Sequence, residues 1–106
     1  MFVAMNRFVT NEGRGADFEE AWRTRESYLD GVPGFLRFAL LRGDEANEYI
    51  SHSIWESRSA FEAWTRSEAF RAAHGQSGLK GVLAGPPRVS LYEPVIEQEA
   101  GMAPIR

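Results

Sequence analysis

The chain has 106 residues, of which 43% are hydrophobic and 25% charged, a composition typical of one globular domain with one core. The formal net charge of -3 argues against a nucleic-acid partner, because phosphate binding relies on clustered Lys and Arg. The absence of cysteine excludes disulfides, thiolate metal sites and cysteine nucleophiles. The sequence has neither an apolar run of roughly 18 to 20 residues nor a signal-peptide pattern. We therefore expect a cytoplasmic protein without a membrane partner.

The first third of the chain predicts a strand followed by a helix. Residues Phe2–Thr10 are rich in strand-forming types and stop at a cluster of Asn and Gly. Apolar residues then recur at helical spacing from Ala16 to Leu29, and the pattern ends before Gly31 and Pro33. This segment is an amphipathic helix.

The middle of the chain predicts a β-hairpin and a broken helical region. Two short apolar segments, Gly34–Arg42 and Glu48–Glu56, are separated by the turn-forming residues GDEAN. Ser59 and Glu62 have the spacing of a capping box, which indicates the start of a helix. We expect this helical region to break near Thr65 to Ser67, with Ser67 capping a further stretch that carries Phe70, Ala73 and His74 on one face and ends before Gly75.

The remaining segments predict a loop and a final strand. Residues Gly75–Pro87 hold several glycines and two prolines, so a mobile loop is expected, and Arg88–Ile96 alternates as a strand does. The order strand, helix, strand, strand, helix, strand is that of an α+β ferredoxin-like domain spanning residues 1–106. Since Gly34–Arg42 is apolar on both faces, the uncovered sheet face predicts a homodimer that packs sheet against sheet.

Three residues are candidates for a functional site, and each also has an ordinary structural interpretation. Asn6 is polar in the middle of a strand, so it either faces a pocket or is solvated. Trp64 lies on an apolar helical stripe and is by itself typical of a core residue. His74 closes a helix, where it can contact the last carbonyls, but imidazole is also an axial ligand of haem iron.

Other charged residues are less informative. Arg25 lies in the apolar stripe of the first helix and either pairs with an anion or extends its charged end to water. His52 is interpreted as structural, and the pair Glu19 and Glu20 as part of a solvated helix face. The sequence contains no nucleotide-binding loop, no nucleophile elbow and too few histidines for an all-protein zinc site.

Taken together, these segments resemble the Isd-type haem-degrading monooxygenases of the antibiotic-biosynthesis-monooxygenase superfamily, whose members are dimeric ferredoxin-like barrels. The resemblance rests on the asparagine in VAMNRF, the PGF turn at Pro33–Phe35, the strand that ends in IWES, and above all FEAWTRSEAFRAAH. It implies that Asn6 and Trp64 lie on the distal side of a haem and that His74 is the proximal ligand of its iron. Trp22 and Arg25 fall on first-helix positions that approach haem in such relatives.

The resemblance also implies an activity. Haem is both cofactor and substrate, Asn6 donates a hydrogen bond on the side where dioxygen binds, and Trp64 distorts the ring so that a meso carbon is attacked. Ring opening gives a bilin-type product and free iron. Electrons come from an external reductase, because the sequence has no flavin or nicotinamide motif. Three alternatives stay open: a cofactor-free monooxygenase of aromatic or quinol-like substrates, a haem carrier without turnover, and a structural stress-response dimer with neither ligand nor turnover.

Overall fold

The computed structural model describes residues 1–24, 29–74 and 81–101, except for the side chains of 72–74. Within these residues the chain forms four strands and three helices: β1 (Phe2–Val9), α1 (Gly15–Thr24), β2 (Phe35–Arg42), β3 (Glu48–Trp55), α2 (Arg58–Thr65), α3 (Glu68–His74) and β4 (Arg88–Tyr92). The sheet has the order β2-β3-β1-β4, and neighbouring strands are antiparallel. The predicted ferredoxin-like α+β fold is confirmed.

Alternating burial of side chains along β1 distinguishes the two faces of the sheet. Phe2, Ala4 and Phe8 are buried, whereas Arg7 is exposed, as expected when successive side chains point to opposite faces. The helices cover the face of the even-numbered residues, because the Phe8 ring lies 5.2 Å from that of Phe18 in α1. We call this side the helix face and the other the open face.

The open face carries a mixture of apolar and charged residues. His52 lies there, opposite Met5 on β1 and Ala39 on β2. Leu41, two residues beyond Ala39, is 45% exposed in the single chain, and Arg7 forms an ion pair of 2.6 Å with Glu48. The expected homodimer would cover this face, and it remains a prediction.

Two aromatic clusters form the core, one at each end of the helix face. The first contains Phe8, Phe18, Tyr49 and Val82, with Trp22, Leu40 and Leu83 packed against it. The second contains Phe2, Leu29 and Trp55, with Val32, Phe35, Phe38, Ala60, Phe61 and Trp64 packed against it. Between the clusters the two central strands carry small side chains, since Asn6 lies opposite Ser51 and Ala4 lies opposite Ser53. We call these four residues the central strip.

The first helix is shorter than the sequence predicts. It begins at Gly15, and its described part extends to Thr24. Leu29, the expected last residue, lies outside the helix in a turn in which its carbonyl accepts a hydrogen bond from the Val32 amide. Leu29 is 7% exposed and packs into the second cluster, so its burial reflects tertiary contacts rather than helical periodicity.

The start of α2 also differs from the prediction. The N-cap is Ser57, whose side chain accepts a hydrogen bond of 3.1 Å from the Ala60 amide, and Ser59 lies inside the helix. The expected break near Thr65 to Ser67 is confirmed, because α2 ends at Thr65 and the Ser67 hydroxyl accepts from the Phe70 amide. Two short helices therefore replace one long one.

A close contact fixes the loop before β2 against α2. Gly34 has a positive φ of 80°, and its carbonyl accepts a hydrogen bond from the Glu56 amide. A Cβ at this position would collide with the methyl group of Ala60. The PGF turn therefore requires glycine at position 34 for two reasons: the positive φ and the close approach to Ala60. Only glycine readily combines the two.

The segment before β4 and the end of β4 correct two further expectations. Residues 75–80 of the predicted loop lie outside the described residues, but the described part is held in place: the Ala84 amide donates to Val9, and Val82 is buried. The last strand ends at Tyr92 instead of Ile96, which is consistent with the missing amide hydrogen of Pro94. In the described part of the chain, no helix is long and apolar enough to cross a membrane.

Replacement of Ser57 by alanine should lower the free energy of unfolding by about 1 kcal/mol, because α2 loses its capping hydrogen bond. Ser59→Ala is the matched control, and its effect should stay within ~0.5 kcal/mol because Ser59 is exposed inside the helix. Urea denaturation measures both values. A larger effect at Ser59 than at Ser57 would contradict this assignment of the cap.

Candidate functional site

Asn6 lies at the centre of the helix face, in the central strip. Its side-chain oxygen Oδ1 is buried and has no hydrogen-bond partner among the residues that the structure describes. Leaving a buried acceptor unpaired costs about 1 to 3 kcal/mol, so such an atom in a folded protein calls for an explanation such as a bound ligand. The expected role of Asn6 in ligand binding stays a prediction, and its buried, unpaired oxygen is the observation that bears on it.

Trp64 is held by aromatic rings on several sides. Its ring centroid lies 5.4 Å from that of Trp55 and 6.4 Å from that of Phe61, and the Phe70 ring meets it edge-on at 4.9 Å. Trp55 is itself fully buried, and its indole donates a hydrogen bond of 3.0 Å to Ser53 in the central strip. These contacts restrict the orientation of Trp64, so it provides a rigid aromatic surface.

His74 is the last residue of α3, and its side chain lies outside the described residues. The contact between Phe70 and Trp64 packs α3 against α2, and the backbone of His74 lies one helical turn after Phe70. Arg25 lies outside the described residues. The structure therefore places the backbone of His74 at the end of the helix that packs against α2, and the predicted roles of His74 and Arg25 stay predictions.

Trp22 lies on α1 in the first cluster. Its ring stacks on that of Phe38 in β2, with centroids 5.5 Å apart and an interplanar angle of 15°, and it meets Phe8 edge-on at 5.7 Å. Phe38 packs against the second cluster as well. This stack therefore joins the two clusters on the β2 side of the sheet.

Two cavities lined by described residues border these aromatic side chains. The larger has a volume of about 880 Å³ and is lined by Glu19, Trp22, Arg23, Leu29, Asp30, Phe35, Phe38, Leu40, Arg42 and Tyr49. The smaller, about 480 Å³, is lined by Asp30, Gly31, Val32, Pro33, Gly34, Glu56, Ala60, Ala63, Trp64, Ser67 and Ala69. Asp30 lines both, and Asn6 lines neither. The structure thus places Trp22 and Trp64 in the walls of neighbouring cavities, with Asn6 on the sheet between the clusters.

Glu19 is a site residue that the sequence interpretation missed. Its side chain is only 17% exposed, which corrects the expectation of a solvated position, whereas the Glu20 side chain is 65% exposed, as predicted. The Glu19 carboxylate accepts hydrogen bonds from both Nε (2.9 Å) and Nη2 (2.7 Å) of Arg42 and from the Tyr49 hydroxyl (2.6 Å). Arg23 approaches the same carboxylate at 3.3 Å.

These hydrogen bonds shift the pKa values of Glu19 and Tyr49. The two hydrogen bonds from Arg42, followed by the one from Tyr49, lower the pKa of Glu19 from 4.5 to about 2. Burial raises the pKa of the Tyr49 phenol, and the hydrogen bond that it donates to Glu19 raises it further. Glu19 is therefore an anion, and Tyr49 a neutral donor, at any pH near neutrality.

The described residues do not form a metal site made only of protein side chains. Among them, no group of three or more His, Cys, Asp or Glu is arranged to hold a metal ion. His52, the only histidine whose side chain is described, lies on the open face, on the opposite side of the sheet from Asn6. The lining of the larger cavity combines aromatic and aliphatic side chains with charged ones, a mixture that suits an organic ligand with an apolar body and polar groups.

The fold and these surfaces define a ferredoxin-like protein with two aromatic clusters between its sheet and its helices and cavities beside them. The sequence profile of the family described as "Antibiotic biosynthesis monooxygenase" matches residues 1–76. The chain belongs to this family, and the expectation of an oxidoreductase is confirmed at that level.

Individual relatives agree with this assignment. A staphylobilin-producing haem oxygenase of Staphylococcus aureus is 32% identical over 75 residues, which cover 69% of this chain and 70% of the relative. The haem degrader MhuD of Mycobacterium tuberculosis, solved with two haems bound in its active site, is 28% identical with a TM-score of 0.77 and covers 93% of this chain and 100% of MhuD. The predicted resemblance to Isd-type haem-degrading monooxygenases is confirmed.

A further solved structure supports the fold alone. SnoaB, a cofactor-independent oxygenase from Streptomyces nogalater, has a TM-score of 0.69 and 22% identity over 95% of this chain and 97% of its own. The same scaffold therefore occurs in oxygenases of different chemistry, so function has to be argued from site residues.

Glu19→Gln should reduce the loss of stability that the protein undergoes between pH 4.5 and pH 2. Because folding lowers the pKa of Glu19, its ionised form contributes stability above pH 4.5, and this contribution is lost as the pH falls towards the folded-state value. Urea midpoints across this range measure the effect. The exposed neighbour provides the control Glu20→Gln, and equal acid dependence in wild type and Glu19→Gln would contradict the prediction.

Proposed function

We propose that the chain is a haem-degrading monooxygenase that opens the porphyrin ring to a bilin-type product and releases iron. The observation that carries this proposal is the buried, unpaired oxygen of Asn6 between two aromatic clusters. The haem oxygenase of S. aureus and the haem degrader of M. tuberculosis support the substrate, since both match this chain at 28% identity or more.

The residues present fit a flat, largely apolar ring. Aromatic side chains prefer stacked or edge-on contacts with other rings, and Trp22 and Trp64 are both held in such arrangements. The larger cavity, about 880 Å³, lies within the range of roughly 300 to 1,000 Å³ that is usual for small-molecule sites. We propose that Trp22 and Trp64 contact the substrate, and that Arg25 pairs with a carboxylate at its edge.

His74 is proposed as the axial ligand of the haem iron. His74 is the last residue of α3, and the contact between Trp64 and Phe70 packs α3 against α2. The imidazole of His74 would hold the iron, and the haem would supply the site at which dioxygen reacts. The protein itself would fix the position and orientation of the haem ring.

Asn6 is proposed to act on the side where dioxygen binds. A carboxamide both donates and accepts hydrogen bonds, so it can orient a bound polar molecule that a hydrocarbon side chain could not. Its position on a central strand makes it less mobile than a loop residue, which favours directed attack on one part of the ring. Trp64 would then distort the haem ring from planarity, because the indole of Trp64 is itself packed on several sides.

The reaction needs an oxidant and a source of electrons. We propose dioxygen as the oxidant and an external reductase as the electron donor, with the substrate oxidised at a meso carbon. The homodimer predicted for the open face would leave this site intact, because Asn6 and the aromatic clusters lie on the helix face. Haem, a reductase and a second copy of the chain are thus the proposed partners.

Two substitutions should separate binding from turnover. His74→Ala should abolish the axial bond, seen as a changed Soret band on haemin titration, and should abolish degradation. Asn6→Ala should keep the Soret band of the wild type but degrade haem at least roughly 100-fold more slowly, the size expected when a positioned hydrogen-bond donor is lost. Spectra before and after addition of ascorbate measure both properties.

The matched control is His52→Ala, which removes the histidine of the open face. Its Soret band and degradation rate should equal those of the wild type. A His74→Ala protein with the wild-type spectrum would refute the proposed ligand, and an unchanged rate in Asn6→Ala would refute the proposed role of Asn6. Thermal unfolding of each variant shows whether a lost signal comes from a lost fold.

A further inference from the structure

The carboxylate of Glu19 ties α1 to two strands of the sheet. It accepts two hydrogen bonds from Arg42 at the end of β2 and one from Tyr49 near the start of β3. Arg42 and Tyr49 face each other in the register of the hairpin, so both donors reach the carboxylate from the same edge. One side chain on the helix thus bonds with both strands of the hairpin.

Tyr49 fits closely beneath the first turn of α1. Its hydroxyl oxygen would lie 2.9 Å from a Cβ added at Gly15, so the absence of a side chain there permits the approach. The Tyr49 ring also packs 4.7 Å from Phe18, centroid to centroid. The network therefore fixes the first half of α1 by polar and apolar contacts together.

The position of Trp22 follows from this anchor. Trp22 comes three residues after Glu19, nearly one helical turn further along α1. Phe38, on which Trp22 stacks, likewise precedes Arg42 by four residues on β2. Helix and strand are joined at two successive points, an ion pair at one and a ring stack at the other, and both points line the larger cavity.

We infer that Glu19 is a positioning residue that holds α1, and with it Trp22, at a fixed distance from β2, so that the larger cavity keeps the shape that a flat ring requires. This inference rests on the proposed function. Glu19 does not touch the reacting atoms; it acts through Trp22.

An ordinary surface ion pair would not hold α1 in place, because exposed pairs usually contribute little to the free energy of folding. Arg42 is itself 69% exposed, but Glu19 differs from an ordinary surface carboxylate in two respects: its side chain is 17% exposed, and both of its oxygens accept hydrogen bonds. The pair between Arg14 and Asp17 provides a contrast, because it joins the residue before α1 to one in the first turn of α1, and because its carboxylate side chain is 62% exposed. Breaking that pair removes the same charge without releasing α1 from the sheet.

The test compares Glu19→Gln with the matched control Asp17→Asn. The chain has three tryptophans, so its indole N–H groups give three cross-peaks in a proton–nitrogen correlation spectrum, and Trp22→Phe identifies the peak of Trp22. In the absence of haem, Glu19→Gln should shift or broaden the Trp22 peak while the peaks of Trp55 and Trp64 stay in place. Asp17→Asn should move none of the three.

Haemin titration followed by the Soret band provides the second readout. Glu19→Gln should raise the haemin Kd roughly tenfold, since displacements of about 1 Å in a site have large effects, and Asp17→Asn should leave it unchanged. A Glu19→Gln variant with a wild-type Trp22 peak, or with a wild-type Kd, would overturn the inference and leave the proposed function standing. A wild-type protein that binds no haemin would overturn the proposed function itself.

Discussion

The size of the side chains along the two central strands determines how this domain can be built. Large aromatic residues occupy the ends of the helix face, and the central strip of Ala4, Asn6, Ser51 and Ser53 lies between them. Side chains of this size cannot fill the space that aromatic residues fill elsewhere. The helices therefore pack on the two ends, α1 through Phe18 and α2 through Phe61, and the oxygen of the Asn6 amide lies buried and unpaired between these ends.

This arrangement makes the site depend on how firmly each helix is held. The aromatic contacts of Trp64 fix α2 against the sheet, and the Gly34 turn packs closely against the same helix at Ala60. On the other side, α1 is held by the buried Phe18 and by the ionic network around Glu19. Its carboxylate stays ionised because its donors stabilise the charge more than partial burial disfavours it. Packing and electrostatics thus serve the same purpose at opposite ends of the sheet.

Much of the fold could be predicted from the sequence, because periodicity and turn residues are local signals. The β2–β3 hairpin and the break before Ser67 are local in this sense, whereas the pattern of β1 left open whether Asn6 faces a pocket or solvent. The local pattern favoured the wrong serine as the cap, since Ser59 has capping-box spacing with Glu62 whereas the observed cap is Ser57. The start of α2 is instead fixed by contacts across the fold, namely the hydrogen bond between Glu56 and Gly34.

The network around Glu19 could not be predicted from the sequence for the same reason. Its partners Arg42 and Tyr49 are 23 and 30 residues away in sequence, and they come together only through the register of β2 with β3. Glu19 and Glu20 look alike in the sequence, yet only one of them faces the hairpin. Leu29 likewise continues an apolar stripe but leaves the helix to enter the second cluster. The predicted roles of His74 and Arg25 depend on side chains outside the described residues.

The most direct test of this account is to add haemin to the purified wild-type protein and then supply ascorbate in air, with catalase present to remove free peroxide. A Soret band that forms on binding and then decays, with release of iron, is the predicted result. A band that forms and persists would indicate a haem carrier and contradict the proposed turnover. No Soret change at all would contradict haem binding and favour a cofactor-free monooxygenase of the same family.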